Sequence, residues 1–274
     1  MQETFGHVAD TADVDDAAGA ARRVGLFGGT FDPPHVGHLV TAVNVRHALQ
    51  LDLVLLVVAN VPWQKEGTRV ITPAPDRLAM VAAAVEQVEG LRAGDQEIRL
   101  GGNSYTADTL QLVAEEFDQP ELFTVVGDDA AAGLPTWERA GEVVERSDLV
   151  VVDRPGEPVV LPDRVDGTAV EWIRVEVPRL DVSSTDLRAR IADGRPLDYL
   201  VTAPVLAEIE RRGLYGRAAS GAHHAAGTGA PGADAGVVDA GGVDAGGVDA
   251  GGVDAGGVDD VDPSPGGAAV EAGR

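Results

Sequence analysis

Val24-Gly25-Leu26-Phe27-Gly28-Gly29-Thr30-Phe31-Asp32-Pro33-Pro34-His35-Val36-Gly37-His38-Leu39 is the stretch from which the rest of the chain can be read. Val24 to Phe27 form a short apolar run that reads as a buried strand, and the glycines, Thr30 and Asp32-Pro33-Pro34 then stop regular structure. Beyond the prolines, Val36, Leu39, Val40, Val43 and Ala48 recur at intervals of three and four, the spacing of a helix. A strand, a glycine turn and a helix in that order aim backbone N–H groups and a helix N-terminus at one point, and such a point attracts phosphate. His35 and His38 lie three apart at the helix start and share a face. Gly37 between them leaves backbone on which a flat ring can rest. Imidazoles set among amides can donate hydrogen bonds to phosphoryl oxygens that gain charge. A surface histidine pair and half of a metal site are the alternatives; the second needs further ligands, and neither a cysteine nor a nearby histidine-rich segment supplies them.

Working outward, residues 53–59 are a continuous apolar run of the kind found in a parallel strand buried on both faces. Following the first helix, it begins a right-handed β–α–β unit. The loop after it, Asn60 to Gly67, lies on the edge where open α/β sheets bind ligands, which puts Trp63 and Lys65, the chain's one lysine, beside the site. A helix is expected over 75–88, a short strand over 97–100, and a helix over 104–117 capped by Ser104. Strands follow at 122–126, ending in Gly127-Asp128-Asp129, at 148–153, ending in Arg154-Pro155-Gly156, and at 170–177. Ser183-Ser184-Thr185 is a hydroxyl-rich helix start with Arg188 one turn in, either a plain cap or an anion site. A last helix over 204–212 stops at Gly213. Strands alternating with helices predict an α/β fold with a doubly wound parallel sheet.

Gly28 to His38 resembles the signature of the nucleotidyltransferase superfamily marked by His-x-Gly-His, and more narrowly the bacterial nicotinate-nucleotide adenylyltransferases. The closing motif of that family, Ser-Ser-Thr-x-x-Arg, has its counterpart in Ser183-Ser184-Thr185-Asp186-Leu187-Arg188, and the resemblance spans roughly Arg23 to Tyr215. It implies a Rossmann-like nucleotidyltransferase fold and adenylyl transfer from ATP to nicotinate mononucleotide, giving nicotinate adenine dinucleotide and pyrophosphate in NAD biosynthesis. It also implies catalytic roles for His35, His38 and Arg188, and ATP contacts from Gly28, Gly29, Thr30, Phe31, Gly37, Gly127, Asp129, Ser183, Ser184 and Thr185. In that family the Ser-Tyr-Thr-x-x-Thr-Leu segment, here Ser104 to Leu110, presents backbone amides and a threonine to the pyridine carboxylate. A tryptophan at the place of Trp137 stacks on the nicotinate ring. Tyr105, Thr106, Trp137 and Lys65 are accordingly assigned to nicotinate mononucleotide. Gly127-Asp128-Asp129 departs from the family's Gly-x-Asp in having an acid where a small residue is usual, and Asp128 is expected to point outward. Mg²⁺ is expected to arrive on ATP, with no dedicated metal ligands. A related transferase acting on phosphopantetheine or glycerol phosphate, or an idle nucleotide-binding protein, is the alternative.

Bulk composition narrows the partners. The chain has 274 residues, no cysteine and a net charge of −24. Residues 1–21 hold five acids and no base, and residues 218–274 hold nine acids against one arginine. Both ends are expected to be disordered extensions around a nucleotidyltransferase domain at 22–217. In the second, Asp239-Ala240-Gly241-Gly242-Val243 starts a five-residue repeat whose lone valines cannot build a core. Nucleic acid is excluded as a partner by this charge, whereas small anionic substrates are admitted if bases are focused locally. With no signal-like segment and no run long enough for a bilayer, a cytoplasmic protein is expected, and a homo-oligomer is compatible with the sequence.

Overall fold

The computed structural model describes residues 22–62, 70–153 and 159–216. The expected terminal extensions, Trp63, Lys65 and Arg154-Pro155-Gly156 lie outside those residues.

Six parallel strands form one sheet: β1 (Arg23–Gly29), β2 (Leu53–Val58), β3 (Leu91–Gly94), β4 (Glu121–Gly127), β5 (Asp148–Asp153) and, after a two-stranded antiparallel hairpin of β6 (Arg164–Val165) and β7 (Thr168–Ala169), β8 (Trp172–Glu176). Their order across the sheet is β3-β2-β1-β4-β5-β8. The chain winds outward from β1 in one direction, then returns to β4 on its other side, so β1 and β4 flank the crevice where such sheets bind ligands.

Every residue of β2 is buried, because both faces of the sheet are covered. Alternation divides the strand: Val54, Leu56 and Val58 join one core, with Ala42 and Val45 of α1 (Val36–Leu49), Met80 and Val81 of α2 (Ala74–Val85), Leu187 and Ile191 of α7 (Ser184–Ala192) and Val205 and Ile209 of α8 (Ala203–Arg212). Leu53, Leu55 and Val57 join the other, with Leu110 and Val113 of α4 (Thr106–Glu116) and Val143 of α6 (Ala140–Arg146). Fully burying each such Val or Leu contributes roughly 1.5–3 kcal/mol.

Two sequence expectations are corrected. The strand expected at 97–100 is instead α3 (Gln96–Leu100), and the edge strand lies just before it at Leu91–Gly94, too short for periodicity to register. The helix expected to begin at Ser104 begins at Thr106, because the Ser104 hydroxyl is used elsewhere, accepting the Asn60 N–H at 2.8 Å. The helix expected after the prolines is α1; its Gly37, His38, Thr41, Ala42 and Val45 are buried, Val36 and Leu39 pack partly buried against the same core, and Val43 is 45% exposed. α5 (Asp128–Ala132) starts directly off the end of β4, with Asp128 half-buried and Asp129 exposed. At the other helix ends the expectations agree: Ser183 caps α7 through its hydroxyl, which accepts the Asp186 N–H at 3.1 Å, and α8 ends at Gly213 with φ +62°.

Candidate active site

The turn between β1 and α1 is built from inside outward. Phe31 adopts φ +49° and lays its fully buried ring over Gly29, where a Cβ would lie 2.9 Å from the ring's Cζ. That approach is why position 29 is glycine. The same ring meets His38 edge-on at 4.9 Å between centroids, so Phe31 offers a ligand only its backbone and instead supports an imidazole. His35 and His38 stack, with centroids 3.6 Å apart and planes inclined by 23°. The His35 N–H donates to His38 Nδ1 at 3.1 Å. A neutral His38 therefore carries its proton on Nε2, as a hydrogen-bond donor. A Cβ on Gly37 would lie 3.0 Å from His35 Nδ1 and 3.2 Å from Val182, so the flat ring that rests there is that of His35. The two imidazoles are only 1% and 2% exposed, and donors kept from water act more strongly on charge that develops beside them.

The far end of the chain grips this turn. The Ser184 hydroxyl, buried at the start of α7, donates to the Pro33 carbonyl at 2.8 Å. Arg188 donates from Nη1 to the Asp32 carbonyl at 2.7 Å and from Nη2 to the Thr185 hydroxyl at 3.0 Å. The Val36 N–H donates to Leu200, and the Tyr215 hydroxyl donates to the Asp32 carboxylate at 2.7 Å. Burial and the adjoining carboxylate push the Tyr215 hydroxyl above the usual tyrosine range, which keeps it a donor. His35, His38, Ser183, Ser184, Thr185 and Arg188, read from two motifs some 150 positions apart, thus meet at one corner.

Beside that corner a cleft of about 940 Å³, open solvent included, lies over the C-terminal ends of β1, β2 and β4. Gly28, Gly29 and Thr30 line it on one side, Tyr105, Thr106 and Trp137 on others. Gly28 is open, with nothing near the place a Cβ would take. Thr106 is the first residue of α4, whose N-cap, Tyr105, makes no side-chain cap, so the first amides of that helix are available at the cleft wall. The Trp137 indole packs between two cores and takes part in the wall. Gly127 and Asp129 do not line the cleft.

Sequence reading missed the polar floor of this cleft. Glu97 lines it and is buried; Thr109 donates to its Oε1 at 2.8 Å, and the Ser104 hydroxyl bonds the same carboxyl. Burial pushes the Glu97 carboxyl above the usual glutamate range, against those hydroxyls and the nearby Arg77 charge. Arg77 is 1% exposed and donates to three main-chain carbonyls, Thr72 at 2.7 Å, Thr30 at 2.8 Å and Asn60 at 3.1 Å. A signal for it was present: positions 77, 80, 81 and 84 form one helical stripe in which a lone charge sits among Met80, Val81 and Ala84.

Known proteins are similar to this chain in sequence and in fold. Residues 26–190 match the Cytidylyltransferase-like family model. A protein of Exiguobacterium sibiricum named "Probable nicotinate-nucleotide adenylyltransferase" is 38% identical over 193 residues, covering 70% of this chain and 98% of its own. The chain belongs to the nicotinate-nucleotide adenylyltransferase family. A second member, from a Roseiflexus species and bearing the same name, is 41% identical over 195 residues, with 70% and 97% covered. The fold of the family is also that of the Plasmodium falciparum nicotinic acid mononucleotide adenylyltransferase solved in complex with NaAD, with a TM-score of 0.56 at 14% identity, covering 72% of this chain and 98% of that one. Membership makes the chain a nucleotidyltransferase with a Rossmann-like sheet. Among the described residues no helix is long and apolar enough to cross a membrane.

Proposed function

We propose that this chain transfers AMP from ATP to nicotinate mononucleotide, producing nicotinate adenine dinucleotide and pyrophosphate on the way to NAD. One observation carries the reading: the corner of His35, His38 and Arg188 and the cleft of Thr106 and Trp137 share Gly28, Gly29 and Thr30 on a single strand-end rim. Two substrates bound in those two places meet across the rim.

The acceptor phosphate is mostly dianionic at neutral pH, with a second pKa of about 6, and needs no base to attack the α-phosphorus of ATP. One bond forms from the acceptor oxygen to phosphorus as the bond to the β-phosphate oxygen breaks, and pyrophosphate departs with the electron pair. The protein's part is alignment and charge neutralisation. His38 donates from Nε2 to the α-phosphoryl oxygens, His35 contacts the neighbouring phosphates, and the Gly28-Gly29-Thr30 backbone supports their oxygens. Arg188 and the Ser184 and Thr185 amides hold the leaving pyrophosphate, with Gly127 and Asp129 toward the nucleoside. In the cleft, the first amides of α4 with Thr106 and Tyr105 receive the pyridine carboxylate and Trp137 faces the electron-poor ring; Lys65, outside the described residues, is assigned to the same nucleotide by the family resemblance. Mg²⁺ would be carried by ATP, whose triphosphate supplies the hard oxygens it prefers. When bound, it neutralises phosphate charge. The lack of cysteine suits a cytoplasmic setting, and the family match over residues 26–190 supports residues 22–217 as the catalytic domain.

Pyrophosphate release measured with ATP or CTP and a panel of acceptors tests this. Turnover with ATP and nicotinate mononucleotide, well above that with phosphopantetheine or glycerol phosphate, is expected. Faster turnover with either of the latter, or none with any acceptor, overturns it.

A further inference from the structure

A buried polar link ties the two halves of the site together. Arg77 is fully enclosed at the end of the sheet, and its guanidinium donates to main chain in three places: Thr30 on the β1 turn, Asn60 just past β2, and Thr72 before α2. Asn60 passes the connection on, its N–H donating to the Ser104 hydroxyl at 2.8 Å and its side-chain amide to the Gly102 carbonyl at 2.9 Å. Ser104 and Thr109 both bond Glu97, and they bracket Tyr105 and Thr106, the start of α4. An unbroken polar chain therefore runs from the β1 turn through Arg77, Asn60 and Ser104 to Glu97 and the α4 N-terminus.

We propose that Arg77, linked through Asn60 and Ser104 to the start of α4, is a positioning residue that sets the gap between the β1 turn holding ATP and the α4 start holding the acceptor. The inference rests on the adenylyl-transfer reading above. A fork with three donors in fixed geometry suits the task, because it specifies the relative places of Thr30 and Asn60 rather than merely attracting them. Burying an arginine is costly unless every donor is met, so its presence in an apolar helix stripe needs a return, and precise spacing of two reactants supplies it. In-line transfer depends steeply on such spacing: a shift of about 1 Å produced away from the chemistry costs on the order of a hundredfold.

The test compares Arg77→Lys and Glu97→Gln in the full chain. Binding of a non-hydrolysable ATP analogue and of nicotinate mononucleotide is measured separately by calorimetry, alongside kcat and Tm. Lysine keeps the charge but cannot span three carbonyls. The expected result for Arg77→Lys is a kcat lower by roughly 30- to 100-fold, with each ligand's Kd within about threefold of wild type. For Glu97→Gln, which leaves the Arg77 contacts to Thr30 and Asn60 in place, a smaller fall in kcat is expected, again without a matching loss of binding. A folded Arg77→Lys whose kcat matches wild type overturns the proposal. So does a drop in kcat explained by the fraction unfolded, or loss of binding at one half-site alone. If Arg77→Lys does not fold, the same split in Glu97→Gln decides. Failure of the wild-type protein to use nicotinate mononucleotide would instead overturn the functional reading itself.

Discussion

The histidine corner and the acceptor cleft stand side by side on the same strand ends, but they are held in different ways. At the corner, side chains from the last folded elements reach back to one turn: Ser184 to the Pro33 carbonyl, Arg188 to the Asp32 carbonyl, and Tyr215 to the Asp32 carboxylate. Each is one hydrogen bond between groups whose partners are otherwise fixed. The cleft is held by a buried polar network drawn from the β1 turn, the loop after β2, α2, α3 and α4, in which Arg77 bonds the Thr30 and Asn60 carbonyls and Glu97 accepts from Thr109, residues scattered through the sequence. The difference teaches that a site for a common, charged group can be written as two compact motifs, whereas a site that must hold a second substrate at a fixed distance is distributed through the fold.

The comparison can be broken at its strongest point first. Replacing His38 by alanine removes the Nε2 donor from the corner and should lower turnover by roughly a hundred- to a thousandfold while leaving binding of nicotinate mononucleotide in the cleft unchanged. Steady-state pyrophosphate release with acceptor titration checks both halves of that statement. Loss of acceptor binding would mean that the two regions are not separate.

On the cleft side, Trp137→Ala removes an aromatic face from the wall. An aromatic contact contributes about 0.5–1.5 kcal/mol beyond its buried area, so the KM for nicotinate mononucleotide should rise by about tenfold. The KM for ATP should stay put, and an equal rise in both would place the indole at the corner instead.

The smallest effect sharpens the role of the buried acid. Because burial raises the Glu97 carboxyl, the folded protein holds that proton more tightly than the unfolded chain does. The associated stability is present at pH below the ordinary glutamate range and is lost as pH rises through the raised folded value. Glu97→Gln has no such proton to lose. Thermal melts of both proteins should therefore show Tm of the variant gaining on wild type as pH rises through that window; parallel curves would mean that Glu97 titrates normally.

How much of this was legible in the sequence follows from the same contrast. The sheet and its winding could be read because β2 and β5 are apolar runs and the glycine turn, the Ser183 cap and Gly213 punctuate them. The corner could be read because its residues sit in two short motifs. What escaped depended on tertiary placement. Glu97 looked like part of a strand because nothing local marks a one-turn helix after Leu91–Gly94. Ser104 looked like a helix cap because its real partners, Asn60 and Glu97, are distant in sequence or hidden by burial. The inward face of α1 carries Gly37, His38 and Thr41, which hydropathy alone does not mark as buried.

The most direct test is where the substrates lie. A crystal structure of the protein with a non-hydrolysable ATP analogue and nicotinate mononucleotide should place His38 Nε2 about 3 Å from an α-phosphoryl oxygen, Arg188 on the phosphates beyond it, and the pyridine ring against Trp137 across the Gly28-Gly29 rim. A triphosphate seated in the Trp137 cleft, or one held out of reach of either His38 or Arg188, would contradict the account.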